Sequence, residues 1–407
     1  MIGLGVLAVL VATVVLVLQR PERADLTHGP DEPAADPSAA AAGLVQDLES
    51  ALRRHDRAAA EGLAGSTDAS GRLAAMVGNV ERLDIDRLQL RYVDESDVKL
   101  SAEQRTRWGD DAYVADVQVT WRLRGRDPGP STVEVPLVLR PLDDGAAFIA
   151  VPASSGYRVP MWLNGPVAVR ETPRTLVQTV TPGSARLLGR QASVAVRTVN
   201  RSLPGWRGQL VVEAPRTQEG FVAASGLPPD EAKGIAAVTT ATDAGGTPRA
   251  PVHVFLNPEV FGPLGPRGQQ IVVSHEATHV AVGAATVSSR PLWLSEGYAD
   301  YVALRDSRLP VAVLGAQIRS LVRRDGPPSS LPGSAEFAGN NPDVGAWYES
   351  AWVAVRLLGE RYGDARLQRF YREAETGDVD AAFRSVLGTS TAEFTRAWRT
   401  ELEDLAR

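Results

Sequence analysis

The sequence predicts an α+β protein in which two globular parts stand behind an N-terminal membrane helix and a stalk. Three observations predict it. An unbroken apolar run opens the chain, a block follows in which helical spacing gives way to alternating strand patterns, and a last block passes from short strands to continuous helical periodicity. At 407 residues the chain exceeds what one hydrophobic core usually organises, so two domains are expected. A composition of 44% hydrophobic and 23% charged residues is that of an ordinary globular protein.

Ile2 to Leu18 is apolar apart from Gly3, Gly5 and Thr13, seventeen residues against the roughly 17–25 that cross a bilayer. No small-x-small cleavage site closes the run and no basic segment precedes it, so residues 1–19 are expected to be an uncleaved anchor. Arg20 and Arg23 follow the span, and the positive-inside rule taken alone would keep that side in the cytoplasm. Residues 20–42 are rich in Pro, Asp and Ala with few large apolar side chains, the composition of a disordered linker.

A small α+β domain is expected over 43–162. Leu44, Leu48 and Leu52 set a helical period that continues toward Leu63, and residues 83–93, 113–123, 133–139 and 146–151 alternate as antiparallel strands. In pattern only, this order is similar to the cone-shaped fold of nuclear-transport-factor-like domains. The segment carries no catalytic constellation, so packing, spacing or partner binding is its expected role.

The second domain is expected over 163–407. Helices are read at 183–202 and 217–225, and strands at 209–213, 235–240 and 251–257, which makes a mixed sheet. A helix over 268–284 carries two histidines, and from Arg290 onward the chain is all helical with Pro/Gly breaks near 310, 326–333 and 341.

Composition excludes several classes. Lys+Arg 43 against Asp+Glu 49 leaves a net charge of −6 with no long basic run, so neither nucleic acid nor an anionic membrane surface is an expected partner. The chain has 0 cysteines, which rules out disulfides, a thiol nucleophile and thiolate metal sites. Any metal must be held by histidine and carboxylate.

That donor set is present. In His275-Glu276-Ala277-Thr278-His279 the histidines stand at i and i+4 of a helix, one turn apart on one face, where both imidazoles can reach a single ion. Glu276 lies about a hundred degrees around the helix, placed to hold a water beside the ion as a general base. Downstream, Trp293-Leu294-Ser295-Glu296-Gly297-Tyr298-Ala299-Asp300 opens a second helix with Glu296 and Asp300 one turn apart. Helix-turn-helix geometry lets Glu296 supply a third ligand, while Asp300 can accept the free ring N–H of His275 and fix its tautomer. A fourth position then remains for water. His253 reads as a strand side chain, and His28 and His55 have no metal-ligand company.

These two motifs resemble those of the gluzincin zinc metallopeptidases, the thermolysin and aminopeptidase N clan, and among them the bacterial peptidase MA-like domains. The likeness covers about 170–375. It implies a zincin-like domain, Zn2+ on His275, His279 and Glu296, hydrolysis of peptide bonds, and a tyrosine opening a later helix that donates to the tetrahedral oxyanion. Tyr348, in Trp347-Tyr348-Glu349-Ser350-Ala351-Trp352, matches that helix. The strand before the metal helix, with Val254, Phe255 and Leu256, is then expected to be the sheet edge on which an extended peptide pairs. Two features depart from the pattern. Sixteen residues separate His279 from Glu296, slightly fewer than in aminopeptidase N-type enzymes, and no Gly-x-Met-Glu-Asn motif for amine recognition precedes the metal helix. An endopeptidase is therefore expected over an exopeptidase, membrane-anchored with its catalytic domain extracytoplasmic and with peptide or protein substrates. The alternative is an inactive zinc-binding scaffold whose N-terminal domain binds a ligand or partner; the intact Glu276 favours the enzyme, because a scaffold has no use for a general base.

Overall fold

Leu44, Leu48 and Leu52 recur at helical spacing, and all three are buried along α1 (Pro37–Arg53). The structure, a computed structural model, describes residues 37–151, 156–243, 250–286, 289–376 and 378–407. The apolar run at 2–18 and most of the expected linker lie outside those residues, and among the described residues no helix is long and apolar enough to cross a membrane. Residues 37–42, expected as linker, form the first turns of α1, since Ala39 to Ala42 is a run of the strongest helix former.

Two helices follow, α2 (Arg57–Gly62) and α3 (Thr67–Arg82). The second was not expected from sequence, where Gly71 and Gly78 weaken the pattern by roughly 1 kcal/mol each. Ser66 caps it by accepting from Ala69 N, and Leu73, Met76, Val77 and Val80 turn inward, which offsets that cost. The chain then lays down β1 (Ile85–Glu95), α4 (Ala102–Trp108), β2 (Tyr113–Leu123), β3 (Ser131–Leu142) and β4 (Gly145–Ala150). The strands pair in sequence order as an antiparallel meander under the helices. Leu44, Val45, Leu48, Leu63, Leu137, Leu139 and Phe148 meet between helix and sheet and leave no water-sized space among them, so this interior is core and not a ligand chamber.

The second part begins with a hairpin that the sequence reading did not resolve, β5 (Ala168–Thr172) and β6 (Thr175–Thr179), turning at Pro173-Arg174. There follow α5 (Pro182–Ser202), β7 (Leu210–Ala214), α6 (Gln218–Ser225), α7 (Pro229–Ala232), β8 (Ala237–Ala241), β9 (Val252–Leu256), α8 (Pro258–Phe261) and α9 (Pro266–Val282). The sheet order is β5-β6-β7-β9-β8, parallel at its centre and antiparallel at both ends. This corrects one expectation. Val254, Phe255 and Leu256 lie on an interior strand, clamped between β7 and β8, and the edge beside the metal helix is β8. The run Val-His-Val-Phe-Leu, apolar at nearly every position, is what a strand buried on both faces looks like, whereas β8 carries two threonines. The C-terminal part is helical as expected: α10 (Leu292–Leu304), α11 (Val311–Leu314), α12 (Ala316–Asp325), α13 (Val344–Tyr362), α14 (Asp364–Glu373), α15 (Val379–Ala382) and α16 (Thr391–Ala406).

The two parts share one hydrophobic core. Asn79 on α3 donates from Nδ2 to the carbonyls of Trp162 and Gly165, both at 2.8 Å, and accepts from Val167 N at 3.1 Å. Arg126, in the turn between β2 and β3, donates to Thr172 O and Gln209 Oε1, each at 2.8 Å. Beside it Asp127 reaches into the second sheet and takes His253 Nε2 at 3.0 Å, while His253 Nδ1 meets Glu213 Oε1 at 2.7 Å.

Candidate metal centre

Helix α9 starts with Pro266 at its first turn and stops at Gly283, whose φ of 68° is the left-handed conformation that lets the chain leave the helix. Its inner face buries His275, Glu276 and His279. After a short connection α10 returns against it and brings Glu296 to the same point. Gly297 permits this placement: a Cβ there would stand 2.4 Å from the carbonyl oxygen of Ala351 on α13, so only glycine lets α10 and α13 approach this closely.

The ligand atoms converge. His275 Nε2 and His279 Nε2 are 3.0 Å apart, and Glu296 Oε2 lies 3.3 Å from the first and 3.4 Å from the second. A tetrahedral ion with ligands at about 2.0–2.1 Å requires its ligand atoms to be roughly 3.3 Å from one another, so the three atoms already have the spacing of a coordination sphere. Among the described residues this is the one group of three such side chains close enough to hold a metal ion. Both Glu296 oxygens and His279 Nδ1 are buried without a hydrogen-bond partner. Buried, unpartnered polar atoms are costly, and a cation at the centre of the group is what would satisfy the carboxylate.

Asp300 Oδ1 takes the His275 Nδ1–H at 2.8 Å, as expected from its position one turn beyond Glu296. That bond leaves the Nε2 lone pair facing the cluster. Burial would depress the His275 pKa, but Asp300 and then Glu296 reverse this and hold it well above the ordinary histidine range. Burial likewise pushes Glu296 upward, and the two imidazoles overcome it, holding the carboxyl down at about 2. Glu276 behaves differently. Burial raises its pKa, opposed by His275, His279 and a hydrogen bond from Thr239, so it is the more basic of the two carboxylates. Its Oε2 accepts from Thr239 Oγ1 at 2.6 Å, and its Oε1 is buried with no partner.

Tyr348 lies buried in the second turn of α13, one turn before the Ala351 whose carbonyl meets Gly297 of α10, and packs edge-on against Phe337 with ring centroids 5.1 Å apart. Next to it Glu349, pushed by burial up to about 7, caps α12 by accepting from Gln317 N at 2.7 Å and Ile318 N at 2.8 Å. Three residues near the centre escaped the sequence reading. Thr239 comes from β8, and Arg290 and Tyr371 brace α10 from behind: Arg290 Nη1 donates to the Tyr371 hydroxyl at 3.0 Å, with its guanidinium 3.9 Å above that ring, and Tyr371 packs on Tyr298 at 4.4 Å. No spacing rule connects them to the histidine motif: Thr239 and Tyr371 are 36 and 92 positions from the nearer histidine, and Arg290 lies in the connection between α9 and α10. Compared with protein-family models and with curated proteins, the chain matches none.

Proposed function

We propose that the chain is a zinc-dependent peptidase, an endopeptidase acting on peptide or protein substrates and held at a membrane by residues 1–19, with its catalytic part extracytoplasmic. The observation that carries this reading is the convergence of His275, His279 and Glu296 while a second buried carboxyl group, Glu276, stands beside them with one oxygen unpartnered. A purely structural site closes its coordination with four protein ligands and needs no such neighbour. Two imidazoles and a carboxylate at tetrahedral spacing suit zinc. When bound, the ion supplies Lewis acidity, bringing the pKa of a water near 7 and polarising the scissile carbonyl.

The remaining chemistry belongs to the side chains. Glu276 accepts a proton from the attacking water at Oε1 and returns it to the leaving nitrogen, so that one water is added across the broken C–N bond. Tyr348 donates to the oxyanion that develops on the carbonyl. Edge strand β8 supplies the substrate platform. Asn257 N donates to Ala236 O and Thr242 N to Pro251 O, so even-numbered residues of β8 pair with β9 and the amides and carbonyls of Ala237 and Thr239 point away from it, while the Ala241 carbonyl on that side is taken by Arg158. An extended peptide can add there by backbone pairing, without a free terminus.

The test is zinc analysis of the purified full chain together with digestion of casein and a peptide library, with and without chelator. Expected are one zinc per chain, chelator-sensitive cleavage, and a loss of about 10²- to 10⁴-fold in Glu276→Gln with zinc retained. Undiminished turnover in that variant, or a chain that takes up no zinc, overturns the proposal.

A further inference from the structure

We infer that Thr239 is the positioning residue for the general base, tying Glu276 to the strand on which the substrate lies. The inference rests on the peptidase reading and adds to it a residue outside both helical motifs. Thr239 is buried on β8 and its hydroxyl is shared between two acceptors of one residue, Glu276 Oε2 at 2.6 Å and the Glu276 carbonyl at 3.2 Å. A threonine hydroxyl has one proton, and the shorter contact is the charge-assisted one. The bond fixes the rotation of the carboxyl group. With Oε2 held, Oε1 is left as the basic oxygen, and it is the one without a partner.

The strand makes this more than a local contact. The backbone amide and carbonyl of Thr239 point away from β9, on the side of β8 where a pairing peptide would lie, so the main chain that would register the substrate belongs to the same residue whose side chain orients the base. β8 is itself held from both sides. Ser131 of the N-terminal part bonds Thr242, Arg158 donates to the Ala241 carbonyl, and Thr240 pairs with His253, which Asp127 and Glu213 lock in place. The N-terminal part thereby contributes to the placement of Glu276 without touching it.

The experiment compares Thr239→Val, which keeps the shape and deletes the hydroxyl, with Thr239→Ser, which keeps the hydroxyl. In the zinc-loaded full chain, Thr239→Val is expected to lower kcat by about 10- to 100-fold with KM changed far less and one zinc retained, and Thr239→Ser to restore most of the rate. A second readout needs no turnover: the Glu276 carboxyl infrared band, isolated by subtracting the Glu276→Gln spectrum, is expected to shift in Thr239→Val and to stay in place in Thr239→Ser. A Val variant with wild-type kcat, a Ser variant as slow as Val, or an unmoved infrared band overturns the inference. If the wild-type chain binds zinc and cleaves nothing, the peptidase reading fails, and the infrared comparison alone then decides whether Thr239 orients Glu276.

Discussion

Two buried histidine clusters stand in this molecule, and they are built on opposite rules. In the bridge between the two parts, His253 has a carboxylate on each ring nitrogen, Glu213 at 2.7 Å and Asp127 at 3.0 Å, so each imidazole donor is used. Burial would lower its pKa, but the two carboxylates raise it to about 9. The bridge is a closed ion cluster. In the candidate metal centre the polar atoms point at one another instead: two Nε2 atoms 3.0 Å apart, with a carboxylate oxygen within 3.4 Å of both and unpartnered. Burial and residue types are nearly the same in the two places. What separates the ion bridge from the candidate metal centre is whether donors and acceptors satisfy one another, as around His253, or converge with a carboxylate left unpartnered, as around Glu296.

The sharpest way to break that contrast is to remove a ligand. Glu296→Ala is expected to abolish stoichiometric zinc, measured by elemental analysis, while the bridge and the fold persist. His253→Ala should do the reverse: zinc remains at one per chain, but denaturant unfolding loses about 3–5 kcal/mol, because Asp127 and Glu213 are left buried without their cation. Zinc loss in His253→Ala with unchanged stability would show that the two clusters had been assigned the wrong way round. A smaller effect is expected from Asp300→Asn, which replaces the anionic acceptor of His275 Nδ1–H by a neutral amide and should weaken zinc binding by about 10- to 100-fold in competition with a chelator of known affinity.

The gentlest test is pH, where the two clusters should move in opposite directions. The folded pKa of His253, about 9, lies above the ordinary 6.5, so its stabilisation is complete below about 6.5 and is lost as pH rises through about 9. Melting temperatures across that window should fall in the wild type and flatten in His253→Ala. Zinc affinity should instead grow as pH rises, since ligands must shed protons to bind, and titration calorimetry in two buffers of different ionisation enthalpy would register the released protons.

How much of this could be read beforehand follows the range of the interactions. His275, His279, Glu296 and Asp300 are each related to a neighbour by one helical turn, so the motif spacing already implied the convergence now seen at 3.0–3.4 Å. The C-terminal helices were legible for the same reason, through apolar period and Pro/Gly stops. Less legible was α3, where glycines dilute the period, and the β5–β6 hairpin, whose strands have five residues each. The edge strand was misplaced because chain order suggested β9, whereas β8 is wrapped outside it. Strand order is a non-local property, and no residue pattern in a five-residue strand states which neighbour lies beyond it.

The amino-acid sequence by itself determined the composition of the His275–His279–Glu296 cluster, the helical face that presents it and the exclusion of thiolate chemistry, because these depend on residue identity and a 3.6-residue period. Only the tertiary structure decided that Thr239 meets Glu276, that Asp127 of one part closes on His253 of the other, and that Gly297 stands against the Ala351 carbonyl. Those contacts join segments 37, 126 and 54 positions apart, brought together by burial of a shared core, and burial is settled by the whole chain at once.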